Sequence, residues 1–112
     1  MNSNAPLPEN RKLTVVFRIE HGCLGPNGKD HVKEFCDYAQ KAFATSWSDF
    51  INWQIIPREN LSQPEIQYAI NNKRLDRDKT EKYLAMFSET PDALEEYLHD
   101  KAVQLIEEYM EH

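Results

Sequence analysis

Glycine is scarce in this chain. The 112 residues contain three, all within the stretch His21-Gly22-Cys23-Leu24-Gly25-Pro26-Asn27-Gly28. Cysteine is scarcer, with only Cys23 and Cys36. Two thiols cannot make a disulfide framework, which points to a reducing compartment and so to the cytoplasm. No apolar run approaches the ~18 residues of a membrane span, and no charged-then-apolar leader opens the chain. No membrane association is expected. A surplus of basic charge is missing too, since the net charge is −6. Phosphate contacts supply most of the affinity for duplex nucleic acid, so a generic duplex-binding surface is excluded. Also absent are the dinucleotide fingerprint, the phosphate loop ending in Gly-Lys-Ser/Thr, the serine elbow and any paired-carboxylate signature. No cofactor is expected.

A hydrophobic content of 40%, with 5 Phe, 5 Tyr and 2 Trp, argues for a packed interior. The length suits one domain, which buries roughly 65% of its unfolded surface without staples. Charge is uneven: residues 89–112 carry eight acids and one base, a net −7, and residues 1–88 a net +1. Within 73–82, Lys73, Arg74, Arg77, Lys79 and Lys82 form a small basic run, most simply a solvated helix start.

Residues 1–11 contain Pro6 and Pro8 and no periodicity, and read as a flexible N-terminal arm; residues 12–112 read as the domain. In KLTVVFRIE, residues 12–20, Leu13, Val15, Phe17 and Ile19 alternate with Lys12, Thr14, Arg18 and Glu20, which predicts a strand. Only Val16 breaks the polar row. Val32, Phe35, Cys36, Ala39 and Phe43 then mark one helical face over 29–44. Asp30 is the expected N-cap, and Pro26-Asn27-Gly28 the expected β-turn. FINWQII, residues 50–56, predicts a second strand ended by Pro57, parallel to the first if a crossover through the helix joins them. Ile66, Tyr68 and Ile70 alternate with Gln67 and Asn71, a third strand, against the rival of a helix opened by Pro64. Asn71-Asn72 suits a tight turn into a short fourth strand at 73–75. Asp76 caps a helix to about Phe87, and Thr90-Pro91 restarts one that runs to about Met110. The predicted fold is α+β: a two-layer sandwich of order β-α-β-β-α-α, with helices on one face of a sheet of three or four strands.

Four constellations carry chemistry. A glycine-bearing loop that feeds a helix start is a ready anion site, here through Gly25, Gly28, Lys29 and His31, although the Asp30 carboxylate competes for the same amides. Cys23 in that loop is a nucleophile candidate, with His21 and His31 as bases. His21, Cys23, His31 and Cys36 can be strung into a zinc-type set, but the spacing is not a standard one and Cys36 lies on the apolar helical stripe. No metal site is expected. Finally, Val16, Phe50 and Ile56 fall opposite the main apolar rows, with Trp47 nearby, and suggest a subunit interface.

The sequence therefore reads as a non-enzymatic module acting through a protein partner or a second copy of itself. The rival is a small-molecule or anion-binding protein, or a thiol enzyme, using residues 21–31. A third reading, an acidic decoy of nucleic acid, rests only on the −7 of the last 24 residues.

Overall fold

The computed structural model describes residues 7–111. Four strands and three α-helices follow in the order β1 (Leu13–Ile19), α1 (Gly28–Phe43), β2 (Ile51–Pro57), β3 (Ile66–Ile70), β4 (Lys73–Leu75), α2 (Arg77–Ala85) and α3 (Pro91–Met110). The fold is α+β. Strand order in the sheet is β2-β1-β3-β4, so the most apolar strand is central. β1 runs parallel to β2, with Leu13 beside Ile51 and Phe17 beside Ile55. It runs antiparallel to β3, with Val15 beside Tyr68. The helix between β1 and β2 supplies the crossover that a parallel pair requires.

One face of the sheet holds the core. Leu13, Val15, Phe17 and Ile19 of β1, Ile51, Trp53 and Ile55 of β2, and Tyr68 of β3 are buried against Phe35, Cys36, Ala39 and Phe43 of α1 and Leu94, Leu98, Ala102 and Leu105 of α3. The Cys36 thiol lies inside this core, and burial, then Asp37, pushes its pKa up to about 12. Asp76 accepts from the Lys79 amide at 2.8 Å and Thr90 from the Ala93 amide at 3.1 Å, capping α2 and α3 as expected. Asn71 and Asn72 both take the left-handed conformation, φ 52° and 67°. Two such residues make the twist-matched two-residue hairpin, and β3 pairs with β1, so the helical alternative for this stretch is excluded.

Three boundaries differ from expectation. Asp30 is not the N-cap of α1: the helix begins at Gly28, and Asn27 holds the cap position without a side-chain bond. The cause is the turn before it, whose Gly28 amide donates to the Gly25 carbonyl at 3.0 Å and delivers the chain into the helix early. α2 ends at Ala85, not Phe87. Ser88 reverses the chain at φ 61°, which frees Phe87 to stack on Phe50 at 4.3 Å. Of the predicted N-terminal arm, residues 1–6 lie outside the described residues, while Leu7 packs against the core and its amide donates to the Asp49 carbonyl at 3.1 Å.

Candidate functional site

The glycines of the connector have three different jobs. Residues His21–Leu24 form a 3-10 turn, and Gly22 sits in it with neither a positive φ nor a near neighbour. Gly25 takes φ 86°, a conformation that disfavours any side chain. Gly28 is buried, and a Cβ there would lie 1.7 Å from the His21 carbonyl oxygen. It is glycine so that the 3-10 turn can lie against the start of α1. The Gly28 and Asp30 amides are already bonded to the Gly25 and Asn27 carbonyls, each at 3.0 Å. Those donors of the expected anion site thus face their own loop, and Lys29 and His31 point into solvent. His31 alone of the expected anion-binding residues lines the neighbouring cavity of about 360 Å³, between the connector and Tyr109 and Met110 of α3.

Cys23, His21 and His31 line three separate depressions. Instead of either neighbouring histidine, Cys23 shares its cavity of about 140 Å³ with His99, from the middle of α3. The His99 Nε2 lies 3.2 Å from the Glu65 carboxylate, and the ring is held edge-on against Phe17 at 5.9 Å. Sequence spacing offered no signal for this: Cys23 and His99 lie on elements joined only through the fold. Among the described residues, no group of three His, Cys, Asp or Glu side chains is placed to hold a metal ion.

A second cluster was equally hidden. Ser46 Oγ lies 2.6 Å from the Tyr97 hydroxyl, and Lys101 Nζ donates to Ser46 Oγ at 2.9 Å and to the Tyr97 hydroxyl at 3.3 Å. Lys101 also sits over the Phe43 ring at 5.2 Å. Beside Ser46, Trp47 holds φ 52°, an outlier for a bulky residue, and stacks on Tyr97 at 5.2 Å and on Phe50 at 6.2 Å. Trp47 and Phe50 therefore pack against the core and the helices, not on the far sheet face where Phe50 was expected. Of the basic run, Arg77 is held by Asp92 and Glu95. The Tyr68 hydroxyl donates to the same Glu95 at 2.6 Å, and burial first, then this bond, raises its pKa well above the usual phenol value.

The sheet face opposite the core carries Thr14, Val16 and Arg18 of β1, Asn52, Gln54 and Ile56 of β2, Gln67 and Ala69 of β3, and Arg74 of β4, following from the strand registers. None of these nine is an acid. Val16 is only 7% exposed yet lies outside the core cluster, because its neighbours Gln54 and Gln67 flank it. Ile56, directly beside Arg18, is 37% exposed. Arg18 donates to the Pro64 carbonyl at 2.9 Å and to Gln67 Oε1 at 3.2 Å. Its buried Nε has no partner, and no salt bridge reaches it among the described residues.

The outer edge of β2 is closed by a side chain. Gln40 of α1 donates from Nε2 to the Trp53 carbonyl and accepts the Ile55 amide on Oε1, both at 2.8 Å. A carboxamide placed like a strand's own peptide occupies the groups through which another chain would add. The broad face remains the accessible part of the sheet. No helix of the described residues is long and apolar enough to cross a membrane. No family model, no curated protein and no solved structure matches this chain.

Proposed function

We propose that the protein is a self-associating module whose uncovered sheet face receives the outer stripe of α3 from a second copy. The observation that carries this is Arg18: a cation on the sheet face, beside apolar Val16 and Ile56, whose guanidinium donates only to neutral acceptors and pairs with no carboxylate among the described residues. Such a face is complementary to an apolar strip bordered by carboxylates. The chain itself supplies one. Glu96, Asp100, Val103, Glu107 and Met110 recur at alternating steps of four and three along α3, one helical stripe, and all are exposed. Val103 is 55% and Met110 52% exposed. Pairing the sheet face of one copy with itself would instead set Arg18 and Arg74 toward their own duplicates, which like-charge repulsion opposes. Two different patches that recognise each other form a head-to-tail contact, which closes into a ring or extends as a chain.

Light scattering and sedimentation over a concentration series test this. The weight-average mass should rise above the 13.2 kDa of one chain as concentration increases. Ile56→Glu, on the sheet face, and Val103→Glu, on the stripe, should each hold the protein monomeric. Mixed together, the two variants retain one intact face and one intact stripe between them and should form a dimer and nothing larger. A strict monomer at millimolar concentration, or a mixture of variants that stays monomeric while the native chain associates, would refute the proposal.

A further inference from the structure

Three reactive groups meet where the turn at 44–50 packs on α3, and none of them belongs to the sheet face or to the outer stripe of that helix. Ser46 Oγ lies 2.6 Å from the Tyr97 hydroxyl, and Lys101 Nζ lies 2.9 Å from the first oxygen and 3.3 Å from the second. Each group is bonded to both others. The serine is held through its backbone as well. Its amide donates to the Phe43 carbonyl at 2.9 Å, its carbonyl accepts from Trp53 Nε1 at 2.7 Å, and Trp47 after it holds φ 52°. A bulky residue keeps that conformation only where the surroundings over-determine it. The Phe43 and Tyr97 rings, 5.2 and 5.7 Å from Nζ, confine the amine. Lys101 pairs with no carboxylate among the described residues, so loss of its proton strands no partner anion. A serine, an amine in reach of its oxygen and a hydroxyl bonded to both make the arrangement of a Ser-Lys nucleophile. Tyr97 and Lys101 also wall a cavity of about 340 Å³ with Asp100, Gln104 and Leu105. That volume equals roughly eleven waters at ~30 Å³ each, room for a small ester. Asp100 opposes an anionic guest and Lys101 a cationic one, so an uncharged guest fits best.

We propose that Ser46 is the nucleophile of a site that hydrolyses small uncharged carboxylic esters, with Lys101 as base and Tyr97 as the acid that serves the leaving group. The Ser46 proton passes to the unprotonated Lys101 amine across 2.9 Å, and Oγ attacks the ester carbonyl carbon. The new O–C bond forms and the ester's own O–C bond breaks. The departing oxygen takes the Tyr97 proton, which the Lys101 ammonium replaces across 3.3 Å. Water then gives a proton to Lys101 and attacks acyl-Ser46, and the released Oγ takes that proton back. Ester and water become acid and alcohol, with no electrons gained or lost. Ser48, two residues on, is an internal control that should not react.

The test incubates the full chain with p-nitrophenyl acetate or phenyl acetate, quenches in acid and maps acetyl groups by mass spectrometry. Ser46 should be acetylated about 100-fold faster than Ser48, the lower range of a positioned base. This ratio needs no variant, so a substitution that fails to fold does not shield the assignment. Lys101→Arg keeps the charge and the donors but cannot act as a base, and should bring Ser46 down to the Ser48 rate. A lysine that only buttresses the turn would be replaced by arginine without loss. Tyr97→Phe keeps the ring that stacks on Trp47. It should slow the phenyl ester about 10-fold more than the p-nitrophenyl ester, because the poorer leaving group needs the proton. Equal rates at Ser46 and Ser48 in the native chain, an unchanged Ser46 rate in Lys101→Arg, or equal slowing of the two esters in Tyr97→Phe would overturn the assignment.

Discussion

The three connector glycines permit a graded experiment, because each is glycine for a different reason. Gly28→Ala places a methyl group 1.7 Å from the His21 carbonyl oxygen and 2.7 Å from its carbonyl carbon. Both are backbone atoms, so no side-chain rotation relieves the overlap; the 3-10 turn must move by more than 1 Å or the helix must start later. Moving the turn draws Leu24, 2% exposed, out of its packing, and burial of a leucine contributes about 1.5–3 kcal/mol. Overpacking costs typically about 1–3 kcal/mol, and the better helix propensity of alanine returns up to about 1 kcal/mol. The net loss should be about 2–4 kcal/mol. Gly25→Ala meets nothing nearer than Met110 Cε at 3.7 Å, so its cost is that of the backbone alone, φ 86° with ψ −169°, a region that is essentially glycine-only and costs about 1–3 kcal/mol. Gly22→Ala has no contact closer than 3.9 Å and no positive φ, and should be neutral or stabilise by up to about 1 kcal/mol through the unfolded chain. Urea denaturation with unchanged m-values checks the order. A Gly28→Ala midpoint equal to that of Gly22→Ala would refute the close-approach argument.

Two further outcomes follow from the core and the guarded edge. Gln40→Ala leaves the Trp53 carbonyl and the Ile55 amide without their partner at the rim of β2; it should cost about 1–3 kcal/mol and, by opening the strand edge, increase aggregation on heating, read by light scattering. Cys36 is protonated in the fold up to about pH 12 but titrates from about 9 when unfolded. Its contribution is therefore fully present below pH 9 and is lost as pH rises toward 12, since the unfolded chain then binds fewer protons than the folded one. Cys36→Ala should flatten the decline of stability across that interval relative to the native chain, measured by urea midpoints at stepped pH.

Much of the architecture was legible from local pattern. The alternation in 12–20 and the helical spacing of Val32, Phe35, Cys36, Ala39 and Phe43 report which side of each element is apolar, and burial obeys that periodicity. Asp76, Thr90-Pro91 and Asn71-Asn72 specify their caps and hairpin through bonds and φ preferences within a few residues. The misplaced boundaries have the opposite character. Asp30 has the chemistry of a cap, but the turn closed by the Gly28 amide on the Gly25 carbonyl starts α1 earlier, and Phe87 leaves α2 to reach Phe50.

The candidate sites were less legible for the same reason. The sequence by itself determined the alternation, the caps and the turns, because these depend on interactions among residues close along the chain. It also placed Val16 and Ile56 opposite the main apolar rows. Only the tertiary structure decided that His99 rather than His21 or His31 lines the Cys23 cavity, that Lys101 bonds Ser46 and Tyr97, and that Gln40 closes the edge of β2. Each of those joins side chains from different elements, and a distance between elements is set by how their faces pack, which no local spacing encodes.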